Sequence, residues 1–234
     1  ISFCSRKGPS IVSLGSDSYI VWGDNSGQLN MYSSTGNSAN NFPVSLSSSS
    51  IISKPVIAYK DQSTYIVVVA DDGKIYVVST DGSYISSSSD NISTDPILTR
   101  DNHIIAGSES GKLYKYNLEL SKINEYEVDA LSLGQNYSSF SPFASVDVDD
   151  DGLEEIIVIN DFGIIHLINE DGLSDLYDIG AQNAPVSGLT IADIDNDQDI
   201  EVVFGTENGV FINDIKTKHG QLNGQWYSYG GSYA

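Results

Sequence analysis

Tyr65-Ile-Val-Val-Val-Ala-Asp-Asp-Gly73-Lys-Ile75 is a run of β-branched residues, followed by a polar turn that ends in glycine and by the start of a second apolar run. β-Branched residues favour strands, and glycine supplies the positive φ that a tight hairpin turn needs. The stretch therefore predicts two antiparallel strands joined by a short turn. The same pattern occurs five times, with turn glycines 46, 38, 52 and 46 residues apart at Gly27, Gly73, Gly111, Gly163 and Gly209.

Prolines mark the start of the same five units. They stand 46, 41, 46 and 43 residues apart, at Pro9, Pro55, Pro96, Pro142 and Pro185. Each precedes a short apolar segment, the last of them at Val186, and the first residue of a strand is a position that tolerates proline. A unit of about 40–50 residues with three or four short strands is typical of a propeller blade.

The sequence thus predicts an all-β chain that forms a β-propeller of about five four-stranded antiparallel blades, alone or as part of a larger six- to eight-bladed ring. We expect a single domain over residues 1–234, with blades at approximately 8–50, 51–92, 93–137, 138–181 and 182–234. A helical solenoid would need apolar residues every three or four positions, and this pattern is not found. The alternating Ile1 and Phe3 predict that the N-terminal segment pairs with the last blade, or with a blade outside this sequence.

Two acidic stretches carry nearly the same carboxylate spacing, 46 residues apart. They are Asp147-Val-Asp149-Asp-Asp151-Gly-Leu-Glu-Glu155 and Asp193-Ile-Asp195-Asn-Asp197-Gln-Asp-Ile-Glu201. Carboxylates at loop positions 1, 3, 5 and 9 can converge on one point, where a hard cation offsets their mutual repulsion. A solvated acidic turn is the common alternative, but two copies in register with the repeat favour calcium. An EF-hand is disfavoured, because position 12 is Val158 and a strand follows rather than a helix.

These motifs resemble the FG-GAP or VCBS-like repeat family, whose blades carry Asp-x-Asp-x-Asp-Gly-x-x-Glu/Asp between their first two strands. The family is known from integrin α-subunits and from many secreted bacterial surface proteins. The resemblance implies two ligand sets: Asp147, Asp149, Asp151, the Leu153 carbonyl and Glu155, and Asp193, Asp195, Asp197, the Asp199 carbonyl and Glu201. Gln198 departs from the family's glycine, which would strain the second loop if that position needs a positive φ.

The charge and composition of the chain limit the classes of partner that it can bind. Eleven Lys and Arg against 32 Asp and Glu give a net charge of −21, which predicts no binding to nucleic acid or to anionic lipid surfaces. The single cysteine, Cys4, allows no intrachain disulfide. The apolar runs are shorter than the roughly 18 residues of a membrane helix, so no membrane insertion is expected. Because the sequence begins with Ile rather than Met, we expect it to be joined to further domains in a longer chain.

No catalytic motif accompanies this architecture. The three histidines, His103, His166 and His219, lie in different units without a recurring partner, so the sequence predicts a protein that is not an enzyme. Our leading hypothesis is a secreted or cell-surface, calcium-binding propeller that acts as a protein-binding or scaffold module. Two alternatives stay open: a glycan-binding propeller that uses some of the 14 tyrosines and two tryptophans, or the non-catalytic part of a polysaccharide-degrading or peptidase enzyme. The aromatic segment around Trp226 resembles the closing strand of bacterial propellers of this kind.

Overall fold

A computed structural model describes residues 7–108, 110–128, 143–149, 151–160, 164–169, 172, 174–178, 187–195 and 200–215. Within these ranges the regular structure consists of strands, without a helix, and the strands form five antiparallel sheets. The prediction of an all-β chain is therefore confirmed. Several residues named above lie outside the described ranges: Ile1, Phe3, Cys4, Pro142, Gly163, Pro185, Val186, Asp197, Gln198, Asp199, His219 and Trp226.

Each sheet is formed by strands that follow one another along the chain. The first sheet contains β1 (Ser10–Leu14), β2 (Asp17–Gly23), β3 (Gln28–Ser33) and β4 (Val44–Ser45), and the second contains β5 (Val56–Lys60), β6 (Ser63–Val69), β7 (Ile75–Ser79) and β8 (Tyr84–Ser86). The third contains β9 (Ile97–Leu98), β10 (Ile104–Gly107), β11 (Lys112–Tyr116) and β12 (Lys122–Glu127). The fourth contains β13 (Phe143–Val146), β14 (Glu155–Ile159), β15 (Ile164–Ile168) and β16 (Ser174–Asp178). The fifth contains β17 (Thr190–Ala192), β18 (Ile200–Thr206) and β19 (Gly209–Ile215).

The repeated prolines and glycines lie at strand boundaries, and one glycine of the fifth sheet differs from the prediction. β1, β5 and β9 begin directly after their prolines, as predicted. The strand expected at Val186 lies outside the described residues, and the first described strand of the fifth sheet is β17, from Thr190. Ser187, which lies before β17, accepts a hydrogen bond from the Gly205 amide (2.7 Å). Gly209 is the first residue of β19 rather than a residue of the preceding turn.

The turn glycine is required by both conformation and space at Gly27. Its φ is 78°, in the left-handed region that favours glycine. A Cβ atom at this position would lie 2.1 Å from the carbonyl oxygen of Ser47, which belongs to the linker that leaves the first sheet. The β2–β3 turn can therefore contact the chain passing behind it only if the residue is glycine.

The run from Ile66 to Val69 is apolar at every position because β6 is buried on both faces. Ile66 and Val68 pack in a core shared with the first sheet. Val67 and Val69 belong to the opposite core, shared with the third sheet. Successive side chains of a strand point to opposite faces of the sheet. When the sheet packs between two others, both faces are buried, and the strand is therefore apolar at every position.

The remaining sheets stack in the same manner. The core on the third sheet extends to the fourth, where Phe143 and Val158 contribute. The opposite face of the fourth sheet packs against the fifth, where Val202 and Phe204 are buried. At about 1.5–3 kcal/mol for each fully buried Val, Ile or Phe side chain, these sheet-to-sheet contacts are the main favourable contribution to folding.

The outer faces of the first and fifth sheets differ from the inner ones. Ile11 is 70% exposed on β1 and pairs across the ladder with the exposed Ile20. On the fifth sheet Val210 is 72% exposed and Ile212 is 59% exposed. Within the described part of the chain these two faces have no further sheet stacked on them, although their composition resembles that of the buried faces.

A hydroxyl in the linker before a sheet caps the end of that sheet's second strand. In three sheets the hydroxyl of a Ser or Thr accepts a hydrogen bond from a backbone amide of the second strand. The residue that donates lies four positions before the repeated glycine. The contacts are Val69 N to Ser53 Oγ (2.7 Å), Gly107 N to Thr94 Oγ1 (2.8 Å) and Gly205 N to Ser187 Oγ (2.7 Å). These bonds satisfy buried amides and hold each linker against the sheet that it precedes.

A buried ion pair connects the chain before the first sheet to the linker before the third. Lys7 Nζ lies 3.3 Å from Asp95 Oδ2, and the two side chains are 8% and 6% exposed. Asp95 Oδ1 also accepts the amide of Lys54 (3.2 Å), from the linker before the second sheet. One carboxylate therefore joins the segments that lead into three successive sheets.

We predict that Lys7→Met destabilises the protein by about 3 kcal/mol, because it removes the ammonium group that pairs with the buried Asp95 carboxylate. The double variant Lys7→Met/Asp95→Asn should recover most of this loss, since it removes both charges but keeps an oxygen acceptor for Lys54. Urea unfolding, monitored by circular dichroism, measures the free energy of unfolding of both variants. The control is Lys60→Met, in the exposed pair with Glu119, where little change is expected. A Lys7→Met variant as stable as the wild type would contradict the assigned role.

Candidate metal centre

The two acidic loops occupy the same connection, between the first and second strands of their sheets. Residues 147–154 join β13 to β14, and residues 193–199 join β17 to β18. The corresponding connection is much shorter in the first and second sheets, where it consists of residues 15–16 and 61–62. The antiparallel register of the flanking strands brings both ends of each acidic loop together, and this closes the loop on itself.

In the first loop the structure brings together Asp147, Asp149 and Asp151, each with a carboxylate oxygen within 4.8 Å of the others. Their remaining contacts are to the loop's own backbone. The amide of Gly152 donates to Asp147 Oδ2 (3.1 Å), and the amide of Leu153 donates to Asp151 Oδ1 (2.8 Å). These hydrogen bonds curl the chain around the carboxylates, as the sequence predicts for this spacing.

Among the carboxylates of the first loop, Asp147 has the environment that most favours a bound cation. Its side chain is 1% exposed, and its Oδ1 atom accepts no hydrogen bond from any residue that the structure describes. A buried acceptor left without a partner costs about 1–3 kcal/mol, and more when it is charged. A cation bound between Asp147, Asp149 and Asp151 would remove this cost and their mutual repulsion.

Glu155 lies at the start of β14 and is not part of the group of three carboxylates. Its Oε2 atom accepts the amide of Val148 (2.8 Å), which fixes the side chain beneath the loop. Burial, together with the charges of Asp149, Asp151 and Asp147, raises the pKa of Glu155 to about 7, although the Val148 hydrogen bond acts in the opposite direction. Without a bound cation this carboxyl is therefore partly protonated near neutral pH.

The second loop repeats this arrangement. Asp193, Asp195 and Glu201 each place a carboxylate oxygen within 4.8 Å of the other two. Glu201 Oε2 accepts the amide of Ile194 (2.5 Å), the same relation between the ninth and second loop residues as in the first loop. Glu201 is 4% exposed, and among the described residues none donates a hydrogen bond to its Oε1 atom. The predicted ligands Asp197 and Asp199 lie outside the described ranges.

The third sheet also contacts the first acidic loop, which the sequence analysis did not anticipate. The guanidinium of Arg100 donates to the carbonyl oxygen of Gly152 (2.9 Å), and the Arg100 amide donates to Glu154 Oε2 (2.9 Å). Ser145 Oγ donates to the same carboxylate oxygen (2.8 Å). Arg100 is 52 residues from Gly152, so only the stacking of the two sheets reveals the contact.

These loops have the chemistry of a hard-cation site. The side-chain atoms that could bind a metal are all carboxylate oxygens. Such ligands suit calcium, whereas softer metals prefer nitrogen or sulfur ligands. His166, the one histidine within a described strand, is 3% exposed, and its Nε2 atom lies 3.0 Å from Asn160 Nδ2. It is thus packed in the fourth sheet.

No protein-family model matches the chain, and no curated protein matches it. The chain is similar, however, to several solved structures. A structure of BBS1N in complex with ARL6DN, from a crystal soaked with lead, is similar with a TM-score of 0.64 and 15% identity, covering 92% of this chain and 62% of that one. The computationally designed Ika8 protein gives a TM-score of 0.57 and 17% identity, with 88% and 57% covered.

The likeness at these identities concerns the fold alone, and it assigns the chain a β-propeller-like all-β fold. This chain spans about three fifths of the length of both matched chains. Among the residues that the structure describes, no helix has the length and apolar character needed to cross a membrane.

We predict that calcium binding at the first loop strengthens as the pH rises through about 7. Glu155 has a raised pKa, so the empty folded protein holds its proton more tightly than the unfolded chain and loses stability as pH rises from about 4.5 to 7. Calcium competes with the same proton, so its affinity should increase about tenfold between about pH 6 and pH 8. Titration calorimetry at these pH values measures the change. Glu155→Gln should abolish most of the pH dependence, and a wild-type affinity that is constant with pH would contradict the prediction.

We predict that Arg100→Ala lowers the stability of the calcium-free protein by about 1 kcal/mol, since an exposed charged hydrogen bond and a counter-charge beside the acidic loop are lost. Bound calcium would neutralise the same carboxylates, so the loss should shrink at millimolar calcium. Thermal unfolding with calcium and with chelator measures both values. Arg100→Lys keeps the charge and loses the planar donor group, and it should resemble the wild type in its calcium dependence. Equal losses for Arg100→Ala in both conditions would contradict the electrostatic role.

Proposed function

We propose that this chain is a calcium-binding, propeller-type module whose two acidic loops each hold one ion. The proposal is carried by buried carboxylate oxygens that accept no hydrogen bond from the described residues: Asp147 Oδ1 and Glu154 Oε1 in the first loop, and Glu201 Oε1 at the end of the second. Asp147 and Glu201 each belong to a triad of carboxylates within 4.8 Å. A solvated acidic turn would leave these oxygens in water, whereas here the strands bury them.

The five sheets would then be consecutive blades of a ring. The support is their sequential stacking, together with the apolar residues that stay exposed on the outermost faces, Ile11 and Ile20 on the first sheet and Val210 and Ile212 on the fifth. A ring covers such faces, either by bringing the first and fifth blades together or by adding further blades between them.

The module would serve as a scaffold that binds a protein partner, outside the cell or on its surface, and would have no catalytic role. Calcium loops of extracellular modules bind at roughly 0.1–1 mM, which matches the calcium concentrations outside cells. The structural neighbour BBS1N is described in complex with a protein, ARL6DN, which is consistent with protein binding by this fold. The resemblance of the loops to FG-GAP and VCBS-like repeats supports the same function.

We predict two calcium ions per chain, each adding about 0.4–1.4 kcal/mol of stability at millimolar calcium. Titration calorimetry gives the stoichiometry, and thermal unfolding with and without chelator gives the stabilisation, about 2–4 °C per kcal/mol in a chain of this size. Asp147→Asn should lose one site, yet it should be at least as stable as the wild type without calcium, because it removes one of the mutually repelling charges. Asp17→Asn, an exposed acid on β2 of a sheet without an acidic loop, is the matched control.

The two variants separate a metal site from an acidic turn. Loss of one equivalent of calcium in Asp147→Asn, with both equivalents kept in Asp17→Asn, supports the assignment. A wild type without calcium-dependent heat or thermal shift would overturn it, as would an Asp147→Asn variant that binds calcium like the wild type.

A further inference from the structure

A polar cleft separates the first and second sheets at the end where the acidic loops lie in the fourth and fifth sheets. Its volume is about 560 Å³, within the ~300–1,000 Å³ of small-molecule sites. One wall is formed by residues 13–15 at the β1–β2 turn, and the other by residues 62–65 and 79–81 around the β5–β6 and β7–β8 turns, together with Tyr59. None of the described residues of the acidic loops lines the cleft.

The walls of the cleft are held in place from both sides. Asn41, in the loop before β4, donates from Nδ2 to the carbonyl oxygen of Asp81 (2.8 Å) and so joins the first sheet to the second. Asn102 of the third sheet donates from Nδ2 to the carbonyl oxygen of Tyr59 (3.0 Å). Leu14 and Ile57 pack against the core that the first two sheets share. A ligand would therefore meet a largely preformed site, which lowers the entropic cost of binding.

Tyr59 offers an exposed aromatic surface in this cleft. Its side chain is 54% exposed although it lies within β5. A tyrosine provides a large, rigid contact area with an apolar ring and a polar hydroxyl, at a low cost in side-chain entropy. Such a ring can pack against the C–H face of a sugar while its hydroxyl forms a hydrogen bond.

The rest of the lining consists mainly of neutral hydrogen-bonding groups. Hydroxyl groups come from serine and threonine side chains at positions 13, 63, 64, 79 and 80, and an amide comes from Gln62. Asp61 and Gln62 have φ values of 50° and 65°, as a two-residue hairpin turn requires at both of its positions. The β5–β6 turn thereby fixes the position of the Gln62 backbone in the cleft wall.

We propose that this cleft binds a short neutral oligosaccharide. The lining matches the alternating C–H faces and hydroxyl groups of sugars. Among the described residues that line it there is no Lys or Arg, and the one charged side chain is Asp81, so the cleft disfavours phosphate, sulfate and uronic acid groups. A single carboxylate is too few for a calcium site, and a wholly apolar ligand would leave the hydroxyl groups without partners. The site stands apart from the proposed calcium function and needs no metal.

The test is a glycan array followed by titration calorimetry with the soluble sugars. The probes are oligomers of glucose, mannose, galactose and N-acetylglucosamine, with sulfated and uronic acid oligomers for comparison. We expect a neutral oligomer to bind, with an affinity that chelator does not change. Tyr59→Ala should weaken binding about tenfold or more, and Tyr59→Phe should weaken it less. Tyr84→Ala is the matched control, since Tyr84 is 45% exposed on the same sheet but outside the cleft.

Binding of a neutral oligomer that is lost in Tyr59→Ala and kept in Tyr84→Ala supports the proposal. The proposal is overturned if no neutral oligomer binds at about 10 mM, well above a ~1 mM dissociation constant. It is equally overturned if acidic oligomers alone bind, or if Tyr59→Ala and Tyr84→Ala bind like the wild type. Because these experiments are run with chelator, their failure leaves the calcium proposal unaffected, and loss of calcium binding leaves this one unaffected.

Discussion

The burial of apolar sheet faces against one another is the interaction on which the rest of the structure depends. In most described sheets, alternate side chains of a strand pack in two different cores, one shared with the preceding sheet and one shared with the following sheet. On β6, for example, Ile66 lies in the first of these cores and Val67 in the second. A one-residue slip of a strand would exchange the two sets, so the stacking also fixes the register. With the register fixed, the connections between first and second strands lie at the same end of every sheet.

This packing explains how the protein can hold several carboxylates close together. Asp147 and Glu155 flank a loop whose two ends are fixed by the β13–β14 ladder, and both side chains are buried. Neither can turn outward to water without disrupting strands that are packed on both faces. The folded chain therefore retains an unfavourable arrangement of negative charges, which a divalent cation would relieve. Burial and, to a smaller extent, these charges raise the pKa of Glu155 to about 7.

Local sequence signals predicted the strands and the acidic loops, because β-branched runs, turn glycines and carboxylate spacing act within a dozen residues. The contacts between sheets were not predictable in this way. Lys7 meets Asp95 across 88 residues, and Arg100 meets the first acidic loop across 52. Neither contact has a local pattern, since each depends on which linkers lie side by side after stacking. The same holds for Ser187, whose hydroxyl accepts a hydrogen bond from an amide of β18 that lies 18 residues along the chain.

The proposed function depends most on calcium binding at the buried oxygen of Asp147. A crystal structure of the protein grown with calcium, with anomalous diffraction data to identify the ion, tests this most directly. We expect an anomalous peak bound by Asp147 Oδ1, Asp149 and Asp151, at about 2.3–2.6 Å from its oxygen ligands, and a second peak beside Asp193, Asp195 and Glu201. A water molecule at hydrogen-bond distance from Asp147 Oδ1, with no anomalous signal at millimolar calcium, would contradict it.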